Sequence, residues 1–291
     1  MSETIIASTS LGGAILAHEA AIRLSIFAGI FTLMALGEAL FPRRTRSLSR
    51  WRRWPGNVGI SVLNTVLARL IFPTTAVAFA GFVQTHGWGV LQIMTLPEIA
   101  RIIIAIVALD LIIYLQHVLF HAAPSLWRLH RMHHADPDFD VTTGSRFHPV
   151  EIILSMGIKL MVIAALGAPA VAVLIFEVLL NGASMFNHAN LKLPLCADRI
   201  LRRFVVTPDM HRVHHSVAVS ETNSNFGFNV PWWDHLFGTY RSQPALGHEA
   251  MTIGIDQFRS SHDQRLDRML IQPFIGSPGI YPLGHREEAG E

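Results

Sequence analysis

The chain has 291 residues, 51% of them hydrophobic and only 15% charged, where a soluble domain carries about 25% charge. That balance, with a mean hydropathy of +0.37 and several long apolar runs, excludes an ordinary soluble enzyme and predicts an all-α integral membrane protein. A formal net charge of +2 gives no case for nucleic acid, and the single cysteine, Cys196, excludes an intrachain disulfide and a four-cysteine iron–sulfur cluster.

Residues 1–18 are mildly apolar and rich in Ser, Thr and Gly, and read as a short leader at the membrane interface. The first span is expected over Ala20 to Phe41, closed by Pro42, with Arg23 and Glu38 near its ends, where a charge reaches the headgroups. From Pro42 to Gly59 come Arg43, Arg44, Arg46, Arg50, Arg52 and Arg53, interleaved with Trp51 and Trp54. By the positive-inside rule this is a cytoplasmic loop with interfacial tryptophan anchors. A second span is expected over Ile60 to Val83, interrupted at Pro73 and containing Asn64 and Arg69; a charge here must snorkel or face protein. The third span, Pro97 to Phe120, runs directly into histidines.

Asp110, Tyr114, His117 and His121 stand at i, i+4, i+7 and i+11, so they form one line along the third span. A carboxylate as deep as Asp110 needs a partner, and a hydrogen bond from Tyr114 or from a metal-bound histidine would supply one. Pro124 then breaks the helix, and a new one beginning at Ser125 carries His130, His133 and His134 as H-x2-HH. Residues 135–148 are polar and turn-rich and read as a loop over the site. His148 falls at its end, beside Pro149 and Glu151, as a ligand, a residue supporting a ligand or a surface histidine, with support as the first choice.

Ile152 to Leu180 is apolar, with Gly167-Ala168-Pro169 at its middle. One long tilted span fits, as do two arms near the lower limit of about 17 residues. If the histidines on either side share one site, they must lie on one face of the membrane. A helical hairpin is therefore expected, and with it about four transmembrane segments and a cytoplasmic helical cap. Asn187 and His188 follow at the membrane exit. Thr207 and Pro208 signal a helix start, and His211, His214 and His215 repeat H-x2-HH on its first two turns. Pro231 to His235 reads as an interfacial amphipathic piece. His235, His248, His262 and His285 lack ligand spacing and read as surface residues. The chain thus divides into membrane spans with the Arg-rich loop (1–96), a histidine-rich unit (97–241) and a soluble tail (242–291), its last residues disordered.

Neutral imidazole is a common ligand for iron, zinc and copper. Residues three and four apart share a helix face, so each H-x2-HH can offer two or three rings to one point. Three clusters with His188 between them point to more than one metal ion. A histidine-rich membrane protein that transports or senses metal fits the same residues. A zinc hydrolase fits less well, because it needs a general base beside the metal and the chain holds no H-E-x-x-H.

The motifs DLIIYLQHVLFH (110–121), LHRMHH (129–134), RFHPVE (146–151), FNHANL (186–191), TPDMHRVHHS (207–216), NFGFN (225–229) and WWDHLFGTY (232–240) together resemble the fatty acid hydroxylase / sterol desaturase superfamily of membrane non-haem di-iron enzymes. The resemblance implies two iron ions that activate O2 against an unactivated C–H bond of a lipid, for hydroxylation or desaturation. The lipid could be a fatty acyl chain, a sterol, a hopanoid, a carotenoid or an ether lipid. It implies His117, His121, His130, His133, His134, His188, His211, His214 and His215 as ligands, supported by Asp110, Tyr114, His148 and Asn187. It further implies a separate electron donor, a ferredoxin or a cytochrome with its reductase. Zinc can replace iron in purified protein, since it binds such sites more tightly than Fe(II). Some relatives carry a further histidine where this chain has Lys192. The site therefore has nine histidines, or is completed by water or His148.

Overall fold

The structure, a computed structural model, describes residues 11–72 and 74–283. The first ten residues of the expected leader, Pro73, His285 and the expected disordered end lie outside the described residues. Among the described residues the regular structure is helical, with no strand beyond two isolated bridges. A short helix α1 (Leu11–Ala17) precedes α2 (Glu19–Leu40), and α3 (Arg50–Ile71) is followed by α4 (Ala76–Thr85) and the single turn α5 (Val90–Ile93). Next come α6 (Glu98–Ala122) and α7 (Pro124–His134), then α8 (Pro149–Leu166) and α9 (Ala170–Asn187). Shorter helices complete the chain: α10 (Leu195–Leu201), α11 (Pro208–His214), α12 (Val219–Thr222), α13 (Trp232–Phe237), α14 (Gly247–Ala250) and α15 (Leu266–Ile271).

Five stretches are long and apolar enough to cross a membrane: α2, the Arg50–Ile93 stretch, α6, α8 and α9. The chain is an all-α, multi-pass membrane protein. Its apolar core lies where α4, α6, α8 and α9 meet, around Val77, Ala80, Leu109, Ile163 and Phe176. Small residues at Ala76, Ala80, Ala105 and Ala172 let these helices approach closely. Leu40, Leu70 and Ile99 face outward, as a lipid solvent allows.

The expected hairpin is present as α8 and α9. Each arm has 18 residues, about 27 Å of helix and nearly the thickness of the hydrocarbon core. Gly167 makes the turn at φ 68°, ψ 42°, and a Cβ there would stand 2.4 Å from the Trp88 carbonyl oxygen. Only glycine meets both conditions. Because the hairpin returns the chain to the side it left, His188 comes back to the end of α6.

Several charges expected at the membrane surface pair within the fold. Arg23 pairs with Glu177, which also binds Lys159 (2.6 Å), so the three tie α2, α8 and α9 together. Glu38 does not reach headgroups: it is fully buried and accepts from the backbone N–H of Val141 (2.6 Å) and Asn190 (2.8 Å) and from Arg50 (2.9 Å). Two loops of the cap would otherwise bury unpaired donors there. The Arg-rich segment is a loop only to Ser49; from Arg50 it is the start of α3. Trp51 is exposed as an anchor should be, but Trp54 donates inward to Asp140 (3.1 Å) and Arg53 is fully buried. Asn64 donates to the Phe147 carbonyl (2.8 Å), while Arg69 is exposed.

Residues 242–283, expected as a soluble tail, wrap the histidine-bearing cap. Arg131 donates to the carbonyl oxygens of Gln272, Ser277 and Ile275, and Met269 packs against Ile60 and Met132. The approach to α3 is so close that a Cβ on Gly56 would lie 2.2 Å from the Gln264 carbonyl oxygen. His248 is accordingly buried, 3.6 Å from Asp209, and is not the surface residue its lack of ligand spacing suggested.

Candidate metal centre

The nine histidines gather into two adjacent groups, His117, His121, His130, His134 and His214 in one, His133, His188, His211 and His215 in the other. Within each group the ligand atoms lie within 4.8 Å of one another, and all nine side chains are buried. Helix geometry divides the motifs. Residues i and i+4 differ by about 40° around the axis and residues i and i+3 by about 60° in the opposite sense. His130 and His134 therefore enter the five-histidine group together while His133 turns to the other. In α11 and its C-cap, His211 and His215 pair in the four-histidine group and His214 crosses over. Each H-x2-HH thus serves both groups rather than one point, and the groups meet where the His134 and His215 rings stack at 4.5 Å.

Local sequence places each ring. His117 and His121 leave the last turns of α6. Pro124 starts α7 at its first position. Thr207 caps α11 by accepting from the Met210 N–H, with Pro208 at the first helical position as expected. His188 is the C-cap of α9.

Six rings are locked by a hydrogen bond at Nδ1. His117 donates to the Phe226 carbonyl (2.8 Å), His133 to Arg146 (3.3 Å), His188 to Ser184 (2.8 Å) and His214 to Ser224 (2.7 Å). His121 donates to the Asn223 side-chain oxygen (3.0 Å) and His130 to the Glu151 carboxylate (2.7 Å). In a neutral imidazole this leaves Nε2 as a bare lone pair. The Nε2 atoms of His117, His130 and His214 are buried without a hydrogen-bond partner. Those of His133 and His188 face each other at 3.2 Å, two lone pairs that repel unless a cation lies between them. Two nitrogens bound to one ion at about 2.1 Å and a near-right angle stand about 3 Å apart, so the donor set fits a metal. Burial, with mutual repulsion adding to it, holds His133, His134, His211, His214 and His215 well below the ordinary histidine range, which keeps them in the neutral, metal-binding form.

Aromatic rings seal the groups. Phe147 stacks on His133 at 4.4 Å, Phe139 lies against His188 and His215, and Phe226 edges His117, His121 and His214. Trp127 covers His121 and His134 and donates to the Pro278 carbonyl, so the C-terminal segment closes the five-histidine group. The loop 135–148 covers the site from the other side through Phe139 and Phe147, but it is a buried wall: Asp136 and Asp140 bind Arg53 at 2.6 Å. Burial alone would raise the Asp136 carboxyl, yet Arg53 and Arg146 outweigh it and hold it at about 2.

The other four candidates stand further out. Asp110 accepts from Asn229 (2.6 Å) and Trp233 (2.7 Å), not from a histidine or Tyr114. Its partners come from a segment about 120 residues away, which helical spacing does not reveal. Tyr114 hydrogen-bonds Thr239 (2.9 Å) and sets its ring on the edge of Phe226. Asn187 holds the Phe228 carbonyl (2.9 Å), beside His188 and His211. His148 joins neither group: it caps α8 by accepting from the Val150 N–H and donates to the Leu270 carbonyl (3.2 Å). Lys192 is exposed.

Sequence reasoning missed Glu151, Asn223 and the four carbonyl acceptors. Among the described residues Glu151 is the one carboxylate that accepts from one of the nine rings. Glu151→Ala is expected to weaken metal retention, and any activity that depends on it, by about 10–100-fold, with the fold kept. Dialysis against a chelator followed by metal analysis checks this, and Glu151→Gln, which still accepts, should lose less.

A family model described as fatty acid hydroxylase matches residues 102–239, which include all nine histidines. The chain is 26% identical over 246 residues to ornithine lipid hydroxylase OlsE of Rhizobium tropici, covering 80% of this chain and 72% of that protein. It is 24% identical over 153 residues to cholesterol 25-hydroxylase of Rattus norvegicus, covering 51% of this chain and 50% of that one. It is 26% identical over 144 residues to cholesterol 25-hydroxylase of Homo sapiens, covering 49% and 52%. No solved structure matches.

Proposed function

Because the chain belongs to the fatty acid hydroxylase / sterol desaturase superfamily, we propose that it hydroxylates a C–H bond of a membrane lipid at a site of two iron ions, one in each histidine group. O2 is the co-substrate, and electrons come from a separate ferredoxin or cytochrome with its reductase. The observation that carries the reading is the pair of Nε2 lone pairs of His133 and His188, 3.2 Å apart and buried. Hydroxylation is preferred to desaturation because the relatives are named as hydroxylases of an ornithine lipid and of cholesterol.

Bound iron supplies the one thing no side chain can, an oxidant strong enough for an alkyl C–H bond. This chain's residues do the rest. The Nδ1 donors of six rings bind fixed oxygens, so the rings keep their aim and their tautomer. Phe139, Phe147, Phe226 and Trp127 keep water from the rings. The groups lie where α6 and α9 end, within reach of a lipid tail from the leaflet beside them. By the positive-inside rule that leaflet is the cytoplasmic one.

The test is metal content and O2 uptake of the detergent-purified protein, given an electron donor and a total-lipid extract, beside His133→Ala. Iron in both groups and lipid-dependent O2 consumption, lost in the variant, is the expected result. Readily exchangeable metal with no O2 reactivity after iron reconstitution would instead favour a metal-handling protein. Burial of all nine rings speaks against that second reading.

A further inference from the structure

Where α2 leaves the membrane it opens into a cavity of about 720 Å³ whose walls are residues 42–49, the end of α2, Lys192 and Glu249. Four cations line it, Arg43, Arg44, Arg46 and Lys192, against two carboxylates, Glu38 and Glu249. Neither carboxylate is free to neutralise the cavity. Glu38 is held by two backbone N–H groups and Arg50, and Glu249 is paired with Arg43. Arg44 is held by the carbonyl oxygens of His248 and Met251, with Asp138 and Glu249 near enough to act on its charge, so it is not a free cation. Among the described residues the side chains of Arg46 and Lys192 have no hydrogen-bond or ion-pair partner. A concave surface in which Arg46 and Lys192 are cationic donors without partners is chemistry suited to an anion.

Its position says which kind. Leu40 and Phe41, between the lining residues Ala39 and Pro42 in the chain, are 69% and 63% exposed, and Trp51, two residues after the lining Ser49, is 89% exposed, apolar and aromatic surface of the kind found at headgroup depth. The wall is also continuous with the metal centre. Pro42 bridges Leu191, Lys192 N–H donates to the Phe41 carbonyl and Arg43 N–H to the Asn190 carbonyl, in the segment that follows His188. His188 and Lys192 are four residues apart, at most about 14 Å of chain.

We propose that this cavity binds the phosphate or carboxylate of an anionic lipid headgroup, with Arg46 and Lys192 as its direct contacts. A lipid held there by its head has its tail beside the four-histidine group, which makes the cavity a selector of substrates with acidic headgroups. That consequence rests on the hydroxylase reading; the binding does not.

Thermal unfolding of the full-length protein in neutral detergent tests it. The probes are short-chain phosphatidic acid, the matching phosphatidylcholine and inorganic phosphate at equal concentration. The proteins are the wild type, Arg46→Glu/Lys192→Glu, and Arg199→Glu/Arg203→Glu, an equal change of charge outside the cavity. Phosphatidic acid is expected to raise the midpoint by several degrees in the wild type and the control variant, with the rise lost in Arg46→Glu/Lys192→Glu and absent with phosphatidylcholine. An equal rise with inorganic phosphate, lost in the same variant, supports the anion site and names the free anion as its ligand. No rise, or the same rise in the cavity variant, overturns the proposal. Metal content and lipid-dependent O2 uptake would stand in that case, so failure here is distinct from failure of the hydroxylase reading.

Discussion

His188→Ala is expected to empty the four-histidine group of metal and leave the five-histidine group filled. His188 is the ring on which that group converges: its Nε2 stands 3.2 Å from that of His133 and 3.1 Å from that of His211. Three rings remain without it, and the gap is buried, so no solvent ligand enters freely. Turnover should fall by more than the roughly 10–100-fold that follows loss of a residue merely supporting a ligand. Metal analysis of the purified variant, with lipid hydroxylation assayed beside it, gives the answer. Loss of metal from both groups would mean that the stacked rings of His134 and His215 couple them into one unit. Full retention in both would remove His188 from the ligand set.

The grouping of the nine histidines was legible in the sequence, and the groups that orient them were not. Clustering leaves a local trace: i and i+4 spacing at His117/His121, His130/His134 and His211/His215 states which rings share a face. The hairpin was readable for a similar reason, because Gly167-Ala168-Pro169 punctuates an apolar run whose two ends must meet. The supports leave no such trace. Four of the six Nδ1 acceptors are backbone carbonyls, a group every residue has, so Phe226, Arg146, Ser184 and Ser224 carry no signal. Glu151 was the exception within reach: a carboxylate in the first turn after Pro149, next to a motif already in view. The packing of the C-terminal segment was not legible because its apolar residues are scattered rather than set in one long run. Met251, Ile253, Ile255 and Met269 do pack against the cap, and beside them Arg131 donates to three carbonyls, a contact that binds backbone and asks nothing of the sequence it binds.

Arg53 is the largest case of a charge whose place the sequence concealed, and Arg53→Ala is expected to destabilise the protein by about 3–5 kcal/mol. The side chain is fully buried and its guanidinium forks onto Asp136 through two bonds of 2.6 Å and onto Asp140 through a third. Read along the chain, it is one of six arginines in a positive-inside segment, and Asp136, Asp138 and Asp140 belong to a polar turn 83 to 87 residues later. Folding joins the two and takes both out of water. Removing the cation leaves carboxylates buried in the wall that carries Phe139, Phe147 and the Arg146 carbonyl, to which His133 is bound. The variant should therefore lose metal from the four-histidine group at a temperature where the spans are still folded, since the wall loosens before α6 and α9 do. Arg53→Lys keeps the charge but cannot fork onto two carboxylates, and should fall between the variant and the wild type. Heating in detergent, with helix content and released metal followed together, measures both quantities. Coincident loss would mean that the wall and the spans unfold as one cooperative unit, and a shift under about 1 kcal/mol would mean that water reaches Asp136 and Asp140 once the arginine is gone.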